Sequence, residues 1–248
     1  MKWFFAICTI GLLFFHSKGH FDPENLYTEI PKGSEETAEI APLLNQPYTY
    51  LGEGSQFYAF ASEDDCYVIK LFKAHHHKSF KLSRFLRHIK KTKGDQLVSK
   101  NKWKRKFRDT CRRYKMAFVD LKEETGLLYI HFQKSSPPLL VTFVDKYAKE
   151  IDISKHPFVL QKKALLAPEY FKLHPEREKS AKQALKELFV TRIEKGYSDP
   201  RQTLSTNYGF IEDTPIQIDV GKIEPFKGDI EEEIRKIHAR IDAWTSTL

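Results

Sequence analysis

Cysteine is scarce in this sequence. Three residues in 248 cannot build a disulfide scaffold for a chain of this length, so burial of apolar surface must hold the fold together. Eleven glycines and twelve prolines are too few for a collagen-like or low-complexity chain, and the pattern excludes a coiled coil. Long hydrophobic runs are also lacking: after WFFAICTIGLLFF at residues 3–15, no segment approaches the length that spans a bilayer. HExxH, CxxC and GxSxG are absent, which leaves zinc proteases, redox dithiols and serine hydrolases without support. His75, His76 and His77 are adjacent and lack spaced partners, so they read as a solvated loop and not as a zinc site. Glutamate is missing from the whole stretch between Lys73 and Lys122.

What is present begins with that first apolar run, which follows Lys2 and precedes the polar HSKGH, the pattern of a secretory signal. As a helix it would rise about 20 Å, short of the roughly 30 Å hydrocarbon core of a bilayer. Ser17 and Gly19 are small and two apart, which puts the expected cleavage between Gly19 and His20. The expectation is a signal peptide at 1–19 and an exported protein, periplasmic or secreted. The alternative is a membrane anchor formed by residues 3–15. Cys66 and Cys111 would remain, as one bridge or as two free thiols; spacing alone decides neither.

Hydrophobic residues at 41% and aromatics at 13% supply a core for one domain or a two-lobed unit. Residues 20–47 combine Pro, Gly and acids with little apolar periodicity and read as a flexible leader. Residues 48–73 are dense in aromatic and β-branched side chains, broken by Gly52 and Gly54 and by the Glu63, Asp64, Asp65 cluster, and read as antiparallel strands. Residues 78–121 lack proline and carry apolar residues at helical spacing, which predicts two helices divided near Gly94. Strands follow at 126–132, 139–147 and 158–162, then a helix at 176–195 with Ala181, Leu185, Leu188, Phe189 and Ile193 on one face. Two short strands at 208–211 and 216–219 and a last helix at 229–244 complete an α+β order.

Charge is unevenly placed on a chain whose formal net charge is +8. Between Lys78 and Lys115 stand 16 Lys or Arg against only Asp95 and Asp109, a surface suited to phosphates, an anionic protein or anionic lipid. Export argues against nucleic acid as the partner. The same run reads equally as a solvated helix face, since Trp103, Phe107 and Tyr114 fall at core spacing.

Four features carry possible chemistry. Glycines in LGEGSQFYAF would let backbone amides approach a phosphate. Lys70, a lone cation in the apolar CYVIK, calls for an anion. Asp219 ends an apolar strand in IQIDVG, where a hard oxygen ligand suits Mg²⁺, with Asn207 as a second oxygen. Asp199, in the loop after the long helix, stands where a carboxylate would orient or deprotonate a hydroxyl.

Taken in this order, the LGEGSQFYAF loop, the VIK lysine, the helical region, VTFVDKY, the long helix, GYSDPRQTLSTNYGF and IDVG resemble the protein kinase-like superfamily over about residues 48–221. The resemblance implies a two-lobed fold, with a small antiparallel β-sheet N-lobe at about 48–147 and a shortened helical C-lobe at about 148–248. It implies ATP and Mg²⁺: Gly52, Gly54 and Ser55 over the phosphates, Lys70 binding them, and Phe143, Val144 and Asp145 contacting adenine. Asn207 and Asp219 would hold the metal and Asp199 would be the catalytic-loop aspartate. The sequence departs from the pattern at Phe57, which replaces the third glycine, and on the helix, where Asp109 is the substitute for a glutamate. Asp199 follows Tyr197 and Ser198 and precedes Asn207 by eight positions where kinases use five, and 27 residues follow Gly221. The expected function is an exported kinase-like protein that phosphorylates a protein or small-molecule hydroxyl. The alternative is a catalytically inactive kinase-like module that docks an anionic partner or membrane surface through residues 78–115.

Overall fold

The computed structural model describes residues 19–33, 37–74, 93–200 and 203–248, those from 93 to 102 by backbone alone. The apolar run at 3–15, the histidine run and the first of the two expected helices lie outside the described residues. So does all but the C-terminal end of the expected signal peptide.

The chain is α+β. Seven strands, β1 (Tyr48–Glu53), β2 (Phe57–Ser62), β3 (Tyr67–Phe72), β4 (Leu127–His131), β5 (Leu140–Val144), β6 (Ala148–Asp152) and β7 (Phe158–Lys162), form one curled sheet in the order β4-β7-β3-β2-β1-β5-β6. The sheet is mixed, because β5 runs parallel to β1 while every other pair is antiparallel. The expected boundary at residue 147 is therefore displaced. β7 sits between β3 and β4, so the sheet continues to Lys162 before the chain leaves it.

Aromatic alternation builds the sheet core. Tyr58 and Phe60 of β2 are buried with Tyr48, Ile69, Leu71, Phe143 and Phe158, and Phe60 meets Phe143 edge-on at 4.6 Å between ring centroids. On the outer flank β6, AKEID, is charged and exposed over its first three residues, the usual protection of an edge strand.

The segment expected to be a flexible leader is instead packed. Phe21 is buried edge-on against Phe60 at 4.8 Å, and Leu26, Tyr27, Ile30, Ile40 and Leu44 are buried as well. The Tyr27 amide donates to the Phe72 carbonyl, and the Tyr27 ring stacks on Phe107 at 4.0 Å. Each fully buried large apolar side chain contributes roughly 1.5–3 kcal/mol, enough in sum to offset ordering an irregular segment. The spacing of these residues matches neither helix nor strand periodicity, which is why pattern alone did not reveal them.

Helix α1 (Lys93–Asp120) crosses one face of the sheet; the expected division near Gly94 falls at the very start of its described length, and residues 75–92 before it lie outside the described residues. Its buried stripe is Thr110, Tyr114 and Ala117, continued by Leu121 beyond its end. It packs with Phe72, Leu127, Phe132 and Val159 of the sheet side and with Val220 and Ile223. Arg105, Arg108, Arg112 and Lys115, at matching intervals, are exposed.

After β7 come β8 (Leu165–Leu166), α2 (Ala167–Leu173) and α3 (Glu178–Glu194). β9 (Tyr197–Ser198), the hairpin β10 (Tyr208–Ile211) and β11 (Thr214–Gln217), β12 (Glu224–Pro225) and α4 (Ile230–Thr245) follow. Their core joins Tyr170, Phe171, Leu185, Phe189, Ile193, Tyr208, Phe210, Ile237 and Ile241, with Tyr170 stacked on Phe210 at 4.1 Å. Asp229 caps α4 by accepting from the Glu232 amide at 2.8 Å. β12 pairs with β9, Glu224 opposite Ser198, which draws the chain after Asp219 back beside Asp199.

Candidate functional site

Lys70 occupies the middle of β3, with Ala59 of β2 and Val159 of β7 as its register partners. Its side chain leaves the sheet toward the segment that follows β11. The ammonium donates to the Ile218 carbonyl and, at 2.7 Å, to Gln161 Oε1 from β7. Burial pulls this ammonium down to about 8, while the Asp219 carboxylate acts in the opposite sense and favours the charged form. The strand-borne cation and the strand-terminal acid therefore share one electrostatic neighbourhood.

The 218–221 segment is fixed from several sides. The Asn207 carbonyl accepts from the Ile218 amide at 2.8 Å and from the Asp219 amide at 3.4 Å. Asp219 Oδ1 accepts from the Gly221 amide at 2.8 Å, closing a tight Asx turn. From α1, Arg113 donates to the Gly221 and Ile223 carbonyls at 3.3 and 3.2 Å. Tyr114 lies on the same helix, its phenol pushed well above the ordinary value by burial and then by the Asp219 charge.

The glycine hairpin approaches this segment through Gln56. Gly52 is buried at a β-bulge in β1 with φ 152°, a backbone conformation suited to a residue without Cβ. Gly54 and Ser55 are exposed at the tip, where the Gly54 amide donates to the Phe57 carbonyl at 2.9 Å. Gln56, next along, accepts from Thr110 Oγ of α1 at 2.5 Å, and its Nε2 lies 3.7 Å from where a Cβ on Gly221 would be. Lys73 at the root of the hairpin is buried and paired with Glu53 at 2.8 Å. The structure thus brings Lys70, Asp219 and the Asn207 backbone together, with Gln56 of the hairpin beside Gly221.

Asp199 belongs to the same neighbourhood but faces inward. It is fully buried and accepts from Gln217 Nε2 at 3.0 Å. Gln217, likewise buried, also donates to the Asp219 carbonyl at 2.9 Å and accepts from Arg192 Nη1 of α3 at 2.9 Å. Arg192 donates in addition to the Tyr208 hydroxyl at 2.7 Å and lies over the Phe189 ring at 4.6 Å. Burial, with the Asp199 charge reinforcing it, pushes the Tyr208 phenol up to about 12.

Phe143, Val144 and Asp145, expected beside the adenine, stand elsewhere. β5 is separated from β3 by β1 and β2, Phe143 is buried in the sheet core, and Asp145 Oδ2 accepts from the Phe21 amide at 3.0 Å. The apolar run that suggested a hinge is apolar because it pairs with β1 over that core. The chain passes from the sheet to the helices at residues 162–165 instead. Asp109 is likewise not the partner Lys70 finds: the inward stripe of α1 is Thr110 and Tyr114, and Asp109 is rotated about 100° from Thr110. Cys66 is exposed and Cys111 half-buried, and both are free thiols.

Gln161, Gln217 and Arg192 were not singled out in the sequence, and Tyr114 was read only as part of a core face. The two glutamines had a readable signal, a polar residue inside the apolar strands FVLQK and TPIQ, because a buried amide must be paired to repay its desolvation.

Among the described residues no cluster of three or more His, Cys, Asp or Glu side chains is arranged to hold a metal, and no helix is long and apolar enough to cross a membrane. Asn207 meets the 218–219 segment through its backbone carbonyl, while its side-chain oxygen accepts from Thr206 Oγ1 at 3.1 Å. Comparison of the chain with protein-family models finds no match, and comparison with curated proteins finds none either.

Proposed function

We propose that the chain is a reduced, kinase-like domain that binds ATP with Mg²⁺ between the glycine hairpin and the 218–221 segment, and that transfers phosphate to a protein or small-molecule hydroxyl. The observation that carries this reading is the approach of Lys70 to the Ile218–Asp219 corner. Element order supports it further: glycine hairpin, lysine strand, helix, crossing after β7, long helix, Asp199, Asn207, hairpin and Asp219. In this reading Lys70 neutralises phosphate charge, and Asp219 with Asn207 would hold Mg²⁺, which draws charge from the transferring group. Asp199 would accept the hydroxyl proton. The test is thermal unfolding of the full-length protein in millimolar Mg-ATP. Stabilisation of the parent that disappears in Lys70→Ala and in Asp219→Ala supports the reading, and no shift in the parent overturns it.

Two observations favour a second reading, a catalytically inactive module of the same fold. Asp199 is sealed behind Gln217, and Arg105, Arg108, Arg112 and Lys115 make an exposed basic stripe along α1 suited to an anionic protein or membrane surface. Binding to anionic vesicles that falls steeply with salt, without nucleotide binding, would select it.

A further inference from the structure

We propose that Gln217 is a positioning residue whose side-chain amide, oriented by Arg192, holds the Asp199 carboxylate and ties it to the backbone of Asp219. Arginine has only donors, so the atom of Gln217 that faces Arg192 Nη1 at 2.9 Å must be the oxygen. The NH₂ group is then forced to the other side. Its two protons meet two acceptors there, Asp199 Oδ2 at 3.0 Å and the Asp219 carbonyl at 2.9 Å. All of this occurs at a residue 1% exposed, where water cannot substitute for a lost partner.

The backbone of Gln217 extends the linkage. Its carbonyl accepts from Gln161 Nε2 at 3.3 Å, and Gln161 Oε1 is the acceptor for Lys70. One pair of buried amides therefore connects the cation on β3, the acid after β11 and the acid after β9. Among the described residues, the charged or titratable groups near Asp199 include Arg192 of α3, Tyr208 of β10 and Asp219, with Arg240 of α4 acting on Tyr208 from farther out. The catalytic weight of the contact rests on the kinase-like reading; the contact itself does not.

The test is carboxyl ¹³C NMR of the full-length protein labelled at aspartate, with Asp199 assigned by the signal lost in Asp199→Asn. Gln217→Met removes both donors without adding charge. It is expected to raise the Asp199 midpoint by about one pH unit or more, while surface Asp213 keeps its own. The parent supplies a measurement that needs no folded variant at 217: the Gln217 side-chain ¹⁵N resonance is expected to move with the same midpoint as Asp199. An unmoved Asp199 in folded Gln217→Met, or a Gln217 amide silent through the Asp199 titration, overturns the proposal. Mg-ATP titration of the same samples separates the two ideas. Coupled NMR shifts in a parent that binds no Mg-ATP uphold the coupling and remove its catalytic role; Mg-ATP binding with an unmoved Asp199 removes the coupling alone.

Discussion

The two walls of the candidate site are built from opposite materials. On the sheet side, Lys70 is half-buried and is met by neutral groups, a glutamine oxygen and a backbone carbonyl, with the Asp219 charge close by. On the helical side, Arg192, Tyr208, Gln217 and Asp199 form a buried cluster in which one amide separates the cation from the carboxylate. Dipoles hold a charge without cancelling it, so the sheet wall keeps a cation. A sealed polar cluster fixes geometry and is costly to disturb. In the proposed reading the first wall serves binding and the second rigidity.

Breaking the rigid wall should produce the largest effect. Arg192→Ala strips a buried donor from Tyr208 and from Gln217, and urea denaturation should show a loss of about 3 kcal/mol or more. A loss well below 1 kcal/mol would mean that the cluster is not rigidly held.

The sheet wall is probed by pH. The folded pKa of Lys70 is depressed to about 8, so between that value and the ordinary lysine value the unfolded chain binds more protons than the folded one, and stability rises with pH across that window. Measured as parent minus Lys70→Met, so that tyrosine titrations largely cancel, stability should rise by about 2 kcal/mol from pH 7 to pH 10. A flat difference would mean that the ammonium is solvated.

Gln161→Glu sharpens the comparison by converting the neutral partner of Lys70 into a charged one. The Lys70 titration, followed by ¹⁵N NMR of the ammonium, should move up by about one unit or more. An unchanged midpoint would show that Gln161 does not govern Lys70. The smallest effect belongs outside both walls: Asp229→Ala removes the α4 cap, should cost about 1 kcal/mol, and should leave the Lys70 and Asp199 midpoints unchanged. Movement of either midpoint would show that the walls are coupled through α4.

Much of this arrangement was legible in the sequence, and the failures have physical causes. β1 to β3, β4, β7, α3 and α4 follow from alternation and helical spacing, and Lys70 and Asp219 stood out because a lone charge in an apolar strand needs a partner. Phe143 to Asp145 misled because an apolar strand reads alike whether it borders a cleft or fills a core. The parallel pairing of β5 with β1, which decides between them, joins residues 95 positions apart. The packing of Phe21, Leu26 and Tyr27 was hidden because an irregular segment carries no period. Gln161 and Gln217 escaped notice because an amide's role is set by what it faces, not by its own charge.

The most direct test of the central claim is a double-variant cycle on Mg-ATP affinity, by calorimetry, with Lys70→Ala, Asp219→Ala and the two combined. If both side chains serve one bound triphosphate, the parent binds Mg-ATP, each single change weakens it by at least tenfold, and the pair together loses clearly less than the product of the two. A parent that gives no binding heat, or two losses that multiply independently, would contradict it.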